Sequence, residues 1–375
     1  MAGVIQRWNQ FWFAPGQTHL VCMVRIWYGV WLFCKKIGLW GLHDWADWNL
    51  RFPRYTAWKT DQLISTGFRA PVPGFGWIPD PSLGFVQAVD TFQMYGAVLV
   101  ALGLFTPVIV PLIAASILYQ HVLSQFSYVH HVNVYTAVFL VLAFARAGDH
   151  YSLDALLFRR GRPPPVRRVT SLRALQVLVS AIYLSTAYGK LNQGWFDGTM
   201  MRLLHDNDHF KGPLAETIWS LTGPRFLCHV TLFSESLCAF GFWIPQLRLL
   251  TTLSGMGLHT GIDLLMPVTT FSYQMMSLYV IFLDPVPGRT RAVLPAAWWH
   301  ARWPLRALNW LDRVSWAQGD RFLVTTADGR ALGGVRGFLE ILLRLPATFP
   351  LAFVLLLPRT LWGIRTRRTT PRSGS

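Results

Sequence analysis

The chain has 375 residues, of which 52% are hydrophobic and 14% charged, and its formal net charge is +16. Soluble domains carry about 25% charged residues, and a single chain of this size cannot hide so much apolar surface without a bilayer. The arginines stand in loops and in the tail, between apolar runs, so the basic charge does not indicate a nucleic-acid partner. We expect an integral protein of a bacterial inner membrane, surrounded by lipid.

The apolar residues fall in runs of the length that crosses a bilayer, which is about 20 residues in a helix. An amphipathic segment, Ile5–Phe13, precedes the first run, and two long loops are expected at Leu39–Pro81 and Leu191–Pro224. The fold class predicted is all-α: a polytopic bundle of about eight transmembrane helices in a domain over residues 1–285. The runs are 18–36, 86–104, 107–127, 129–147, 170–190, 225–243, 247–265 and 268–284.

The orientation follows from the basic residues in the loops. The segment 159–168 contains five arginines and is the densest short basic loop. By the positive-inside rule it lies in the cytoplasm, which places both termini in the cytoplasm and both long loops outside. Lys35 and Lys36 then stand on the outer side, against the rule.

The residues after Pro285 form a separate basic tail, 286–375, for which we expect a small cytoplasmic α/β-like structure. The pattern predicts a strand at Arg321–Thr326, a turn at Asp328–Gly329 and an amphipathic helix at Val335–Leu345. Phe349–Leu357 is apolar but too short for a span, and could lie in the membrane interface.

The four cysteines stand in or beside apolar runs without a CxxC pair. This favours small buried apolar residues over a disulfide or a metal site. The sequence also has no carboxylates and histidines at metal-ligand spacing, no phosphate-binding loop and no serine nucleophile motif. We therefore expect no metal cofactor.

Ionisable residues inside apolar spans are costly, so each is a candidate functional group. The topology places three of them, His131, Lys190 and His259, in the outer half of the bundle on three different helices. A desolvated neutral lysine is a competent general base, and imidazoles relay or donate protons, so the group predicts proton-transfer chemistry. The full set of candidates is Arg25, Asp90, His130, His131, Lys190, Glu235, His259 and Asp263.

Each candidate also has a structural interpretation. Lys190 at a helix end could extend to the headgroups, and the two adjacent histidines could be interfacial. His259 could be a neutral histidine bonded to a neighbouring helix, and Glu235 an interhelical acceptor. Arg25 and Asp90 could form a buried ion pair between the first two helices, an interpretation we prefer to a catalytic role.

The run Tyr183–Gly198, which reads YLSTAYGKLNQGWFDG, resembles the signature of the vitamin K-dependent γ-carboxylases. Their membrane region is called the horizontally transferred transmembrane (HTTM) domain. Two further stretches agree: the helix led by His131 and ending in His150–Asp154, and the stretch from Glu235 through His259 to Tyr273. The resemblance covers roughly residues 15–285.

The resemblance implies a specific chemistry. Lys190 would be the base that deprotonates reduced vitamin K, or menaquinol in a bacterium, and reaction with dioxygen would then drive removal of a glutamyl γ-proton before CO2 is captured. His131 would lie beside the quinone or the glutamate, and His259 in the same cavity. The other implied binding residues are His130, Glu235, Trp195 and Asn192.

The sequence departs from the family pattern at several points. Gly189 replaces the first lysine of a pair, His130 replaces an asparagine, and Asn192 replaces an aspartate. An Arg–His pair that helps to bind the peptide falls on Asp206 and Asn207. The large lumenal domain of the animal enzymes has no counterpart, which suggests a separate substrate-binding partner, and the tail resembles a degenerate thioredoxin-like fragment without a CxxC pair.

Three hypotheses follow. The first is a quinol-dependent γ-glutamyl carboxylase, a lyase that acts on a peptide or protein. The second is a quinone-binding membrane oxidoreductase that carboxylates nothing. The third is a non-enzymatic membrane scaffold whose polar residues only pack helices together, because a shared fold does not by itself transfer a function.

Overall fold

The structure is a computed structural model of the chain. It describes residues 2–16, 19–37, 72–79, 81–123, 130–158, 167–207, 209–210, 213–266, 270–282, 290–309, 314–326 and 329–345. The chain divides into two compact units, Met1–Leu283 and Asp284–Ser375.

The first unit is helical. Short 3₁₀ segments, Gly241–Trp243 and Tyr279–Phe282, follow its tenth and twelfth helices, and the two-residue strands β1 (Pro15–Gly16) and β2 (Arg167–Arg168) pair in antiparallel fashion. The helices are α1 (Ala2–Phe13), α2 (His19–Lys36), α3 (Leu83–Leu102), α4 (Thr106–Leu123), α5 (His130–Phe144), α6 (Leu153–Phe158), α7 (Thr170–Gly189), α8 (Gln193–Phe196), α9 (Thr199–Asp206), α10 (Pro213–Phe240), α11 (Arg248–Leu265) and α12 (Phe271–Leu278).

A helix occupies each of the eight predicted apolar runs: α2, α3, α4, α5, α7, α10, α11 and α12. Within the described residues, three stretches are long and apolar enough to cross a membrane by themselves, at Gly84–Leu102, Thr106–Leu123 and Ala215–Trp243. Only 22% to 39% of their apolar windows is buried inside the protein, so the rest requires lipid. The protein is an integral membrane protein, and a count of eight spans stays a prediction.

The predicted loop at Leu191–Pro224 is wrong, because most of it is helical. It contains α8, α9 and the first part of α10, which kinks at Gly223, where φ is 75° and Pro224 starts the next helical segment. Apolar side chains of this region form a small core of their own, hidden in the sequence because they alternate with polar residues. We call it the Trp219 cluster: Trp195, Met201, Leu204, Phe210, Ala215, Trp219, Leu227 and Cys228. The other predicted loop lies almost entirely outside the described residues.

The predicted ion pair between Arg25 and Asp90 is also wrong. Helices α2 and α3 run in opposite directions, so Arg25, early in α2, meets the end of α3 and not its beginning. The Arg25 guanidinium is fully buried and donates to the carbonyl oxygens of Val100 (2.5 Å), Ala101 (3.2 Å) and Tyr151 (2.6 Å).

Asp90 pairs instead with Lys36, at the far end of α2, with 2.6 Å between Nζ and Oδ1. The Gln120 side chain donates to the same carboxylate oxygen at 2.9 Å. Lys36 is one of the two lysines for which the predicted orientation goes against the positive-inside rule, and this ion pair neutralises its charge inside the protein.

The Asp154 side chain caps a helix from a distant part of the sequence. Its carboxylate accepts from the backbone N–H groups of Phe105 (2.7 Å) and Thr106 (2.8 Å) and from the Thr106 hydroxyl (2.5 Å), at the start of α4. The first N–H groups of a helix lack partners within the helix, and a carboxylate there also interacts favourably with the helix dipole. This part of the His150–Asp154 motif is therefore structural.

The second unit contains both helices and strands: β3 (Thr290–Pro295), a 3₁₀ segment (Ala296–Ala301), α13 (Arg302–Leu308), β4 (Val314–Gly319), β5 (Leu323–Thr325), β6 (Ala331–Leu332) and α14 (Gly334–Arg344). The strands form a mixed sheet in the order β4-β3-β5-β6, with β3 parallel to β4, β5 antiparallel to β3 and β6 antiparallel to β5. The core of the unit joins α14 to the sheet through Ile341, Ala292, Val314 and Val324.

Strand β5 and helix α14 lie where the sequence predicted a strand and a helix. Strands β3, β4 and β6 were missed, since β6 has two residues and the other two lack a clear apolar alternation. Asp328 and the apolar segment Phe349–Leu357 lie outside the described residues. The thioredoxin-like comparison stays a prediction.

We predict that Asp154→Ala lowers the stability of the protein by about 1–2 kcal/mol, the usual cost of a lost helix N-cap. The four cysteines are free and buried in the fold, so a thiol-reactive fluorophore in a thermal ramp reports unfolding of the detergent-solubilised protein. Asp320→Asn, at an exposed position of the second unit, is the control. An unchanged midpoint for Asp154→Ala would show that the cap contributes nothing.

Candidate functional site

The site begins with a buried ion pair between α7 and α10. Lys190 follows the last residue of α7, and its Nζ lies 2.9 Å from Oε1 and 2.8 Å from Oε2 of Glu235. The two side chains are only 16% and 10% exposed. Removing one partner of such a pair leaves an uncompensated buried charge, which typically costs 3–5 kcal/mol. Lys190 therefore does not extend to the headgroups, and Glu235 is its partner.

A third contact ties Lys190 to the Trp219 cluster. Its Nζ lies 5.0 Å from the centre of the Trp195 ring, close enough for a cation–π interaction. Trp195 stands in the short helix α8, immediately after the turn that ends α7. Asn192 shapes that turn: its exposed side chain donates to the Gly189 carbonyl at 2.9 Å. The structure thus places Trp195 beside Lys190 and gives Asn192 a turn-forming contact.

A second buried group joins three helical segments through hydroxyls and an imidazole. The Tyr183 hydroxyl lies 2.7 Å from Nε2 of His259 and is hydrogen-bonded to the Tyr279 hydroxyl. Tyr183 has one hydroxyl proton, so it donates either to the imidazole or to the other phenol. Among the described residues the His259 Nδ1 has no hydrogen-bond partner, although the residue is 2% exposed. We call these three residues the Tyr–His–Tyr chain.

Helix α7 carries both groups on one face. Four of its five buried residues recur every fourth position, at Leu175, Val179, Tyr183 and Ala187, as expected for one face of a helix, and the fifth, Gln176, is adjacent to the first. Lys190 stands seven residues, about two turns, after Tyr183 on that face. Thr186 lies between them, and its carbonyl oxygen accepts from Lys190 Nζ at 3.3 Å.

Helix α11 presents a matching stripe. Its buried residues are Thr251, Gly255, His259 and Asp263, again every fourth position. Gly255 has a packing role, because a Cβ at this position would lie 2.5 Å from the Tyr279 hydroxyl oxygen and 3.0 Å from Cys238 Sγ. The glycine therefore lets α10, α11 and the segment with Tyr279 approach each other closely.

Asp263, one turn beyond His259, accepts a hydrogen bond of 2.6 Å from the Tyr273 hydroxyl, which connects α11 to α12. This contact gives Asp263 a structural role. His130 and His131 form the start of α5, as predicted, but their side chains lie outside the described part of the structure. Their predicted roles stay untested.

The tyrosines of the chain were missed from the sequence. Tyr183 opens the quoted family motif, but neither it nor Tyr279 is ionised near neutral pH, so neither was counted among the costly groups of the spans. Tyr279 is 96 residues away from Tyr183. Both tyrosines could have been found as polar hydroxyls inside apolar runs, where each hydroxyl needs a hydrogen-bond partner.

The Trp219 cluster carries a titratable group at the protein surface. The His205 ring stacks on Trp219 with 4.3 Å between ring centres and 7° between planes. Its Nε2 lies 3.2 Å from Glu216 Oε2, and its Nδ1 lies 3.4 Å from Asp206 Oδ1. The hydrogen bond to Glu216 raises the pKa of His205.

We predict that Gly255→Ala destabilises the protein by about 1–3 kcal/mol through overpacking. Gly257→Ala is the matched control, since its Cβ would meet nothing within 4 Å and alanine favours a helix over glycine by about 1 kcal/mol. The thiol-exposure ramp compares both variants with the parent. Equal midpoints for the two variants would contradict the close approach at Gly255.

We predict that His205 keeps its proton to a higher pH than an ordinary exposed histidine, whose pKa is about 6.5. Diethyl pyrocarbonate modifies neutral imidazole, so mass spectrometry of the His205 peptide against pH gives its titration midpoint. Glu216→Gln removes the charged acceptor and lowers that midpoint. A midpoint that the substitution leaves unchanged would contradict the role of Glu216.

Comparison with known proteins shows which family the chain belongs to. A family model described as the HTTM domain matches residues 13–286. No curated protein and no solved structure matches the chain. The matched range covers the bundle that holds the Lys190–Glu235 pair and the Tyr–His–Tyr chain. The chain therefore belongs to the HTTM domain family, a family of membrane proteins related to the vitamin K-dependent γ-carboxylases.

Proposed function

We propose that this protein is a quinol-dependent membrane enzyme that carboxylates a glutamyl substrate, with reduced vitamin K or menaquinol, O2 and CO2 as co-reactants. The observation that carries the proposal is the buried Lys190–Glu235 pair beside the Tyr–His–Tyr chain. They support the proposal because a lysine, a carboxylate in contact with it and a series of groups able to carry protons lie in a bundle of the HTTM family.

Lys190 acts as the base and Glu235 as the group that prepares it. An ammonium is not a base, so Lys190 must first lose a proton. Glu235 can accept it, because its oxygens lie 2.8 and 2.9 Å from Nζ. The transfer converts an ion pair into two neutral groups. In a poorly solvated site two neutral groups cost much less free energy than a single unpaired charge. The resulting amine then removes a proton from the hydroxyl of the bound substrate.

The residues present fit a quinol. A quinol is an aromatic ring with two hydroxyls, and it needs apolar surroundings with a few polar partners. Lys190 and the unpartnered His259 Nδ1 supply polar partners, and Trp195 supplies an aromatic surface. When bound, the quinol would supply the chemistry that couples oxygenation to removal of a carbon-bound proton. Lys190, Trp195 and His259 are the residues we expect to hold it.

The Tyr–His–Tyr chain would fix the orientation of His259. Because Nε2 contacts the Tyr183 hydroxyl, Nδ1 is the ring atom left to face a ligand. We expect His130 and His131 to line the same cavity from α5, with His131 beside the quinol or the glutamate. The basic segment 159–168 supports cytoplasmic termini and a site that opens to the outer face of a bacterial inner membrane.

A second candidate function is a quinone oxidoreductase that carboxylates nothing. The Tyr–His–Tyr chain favours it, because a series of hydroxyls and an imidazole can carry protons released from a quinol without any glutamate. The glutamyl substrate, by contrast, depends on the family relation and on a peptide partner. The two candidates share the quinol and differ in the use of CO2.

The test uses the full chain in nanodiscs with reduced vitamin K or menaquinone, oxygen, labelled bicarbonate and a glutamate-rich peptide. Label in the peptide together with quinone epoxide would support the carboxylase. Epoxide without label would support the oxidoreductase and overturn the carboxylase. Absence of quinone binding would overturn both and leave the scaffold hypothesis.

We predict that Lys190→Ala abolishes both products and that Glu235→Gln lowers turnover by about 10²- to 10⁴-fold, the usual contribution of acid–base catalysis. Glu235→Asp should restore part of the activity, because the carboxylate is retained. Lys190→Met with Glu235→Gln removes both charges, so the fold should stay as stable as the parent in the thiol-exposure ramp while activity is lost. Parent-level turnover in this double variant would exclude Lys190 as the base.

A further inference from the structure

Helix α1 has an apolar face that its own chain covers only in part. Val4, Ile5, Trp8, Phe11 and Trp12 fall on one side of the helix at spacings of three and four residues. The opposite side carries Gln6, Asn9 and Gln10, with Phe13 at its C-terminal end. An amphipathic helix of 12 residues is marginal in water by itself, so this face needs a partner.

The C-terminal end of that face is anchored to the bundle. The Phe11 ring lies 5.8 Å from the Trp243 ring, and the Arg173 guanidinium lies 4.8 Å from the Phe11 ring. The Thr170 hydroxyl donates to the Trp12 carbonyl at 2.8 Å, and the pairing of β1 with β2 fixes the chain that follows. The position of α1 is therefore set by the start of α7.

The N-terminal end of the face projects beyond these contacts. Val4 is 73% exposed, and Ile5 and Trp8 are each 61% exposed. Phe11, in the same face, contacts Trp243, the last residue of the candidate membrane span Ala215–Trp243. The apolar face of α1 therefore lies at the end of a span, at the level where α7 begins.

The charged residues of α1 and β2 are all basic. The segment 2–16 contains Arg7 and no acidic residue. Arg168 follows in the paired strand, exposed, with its guanidinium 5.8 Å from the Phe13 ring. In the helical projection Arg7 flanks the apolar face beside Val4, the position from which a long cationic side chain reaches the headgroups. A basic residue at the edge of the apolar face, with a second one beside Phe13 on the polar side, is typical of helices that lie on anionic membranes.

We propose that α1 lies in the plane of the membrane and that the lipid leaflet at the level where α7 starts covers its apolar face. Val4, Ile5 and Trp8 insert at the boundary between headgroups and acyl chains, and Arg7 and Arg168 contact anionic headgroups. The geometry points to lipid and not to a second copy of the chain, because the apolar face contacts Trp243 at the end of a candidate membrane span and the flanking basic charge complements an anionic surface.

The first experiment measures the depth of α1 in nanodiscs. Because the native cysteines are buried, a nitroxide can be attached selectively to Ile5→Cys on the apolar face or to Gln10→Cys on the opposite face of the full-length protein. We expect oxygen, which partitions into lipid, to relax the label at residue 5 several-fold more than a water-soluble nickel chelate does. The label at residue 10 should show the reverse order.

Three results would overturn the proposal. Equal access of the nickel chelate to both labels would mean that α1 projects into water. Protection of the residue 5 label from both reagents would mean that a protein surface covers the face. Oxygen access at both labels would mean that the helix is not in the interface plane.

The second experiment tests the charges. In nanodiscs with phosphatidylglycerol the residue 5 label should lie deeper than in nanodiscs of phosphatidylcholine alone. Arg7→Gln with Arg168→Gln should abolish this difference while leaving the oxygen access in phosphatidylcholine unchanged. If the label in the parent protein lies at the same depth with and without phosphatidylglycerol, the proposed contact with anionic headgroups is wrong.

Discussion

In an apolar bundle surrounded by lipid, each charged or strongly polar side chain has to find its partner within the protein, since water is not there to supply one. This requirement explains the polar contacts of the first unit. Arg25 donates to three backbone carbonyls, Lys36 forms an ion pair with Asp90, and Lys190 forms an ion pair with Glu235. Each contact also fixes the relative height of two helices, so the polar groups that are costly to bury decide the alignment of the bundle.

The candidate site is a product of the same constraint. The Lys190–Glu235 pair joins α7 to α10, and the Tyr–His–Tyr chain joins α7 to α11 and to the segment after α12. Both groups include a residue from the same face of α7, two turns apart. Their partners lie on helices whose positions are set by packing. Residues held by rigid elements keep the precise geometry that proton transfer needs.

The partner of Lys190 changes how its chemistry is understood. From the sequence, a lysine in an apolar helix suggests a base that is neutral because water is excluded. The structure places a carboxylate oxygen 2.8 Å from its Nζ and an aromatic ring centre 5.0 Å from it. In the proposed mechanism the proton passes to Glu235, so the proposed base depends on two residues on two helices.

The sequence by itself determined the positions of the helices in the eight apolar runs, because a run of about 20 apolar residues is a local property that needs no knowledge of its neighbours. It also identified Lys190, Glu235 and His259, since an ionisable residue within an apolar run can be recognised from the sequence alone. Only the tertiary structure decided that Arg25 avoids Asp90, that Tyr279 contacts Tyr183, and that apolar side chains in the described part of the polar stretch Leu191–Pro224 pack into a cluster. Those contacts join residues far apart in the chain, and they depend on the direction and height at which antiparallel helices pack.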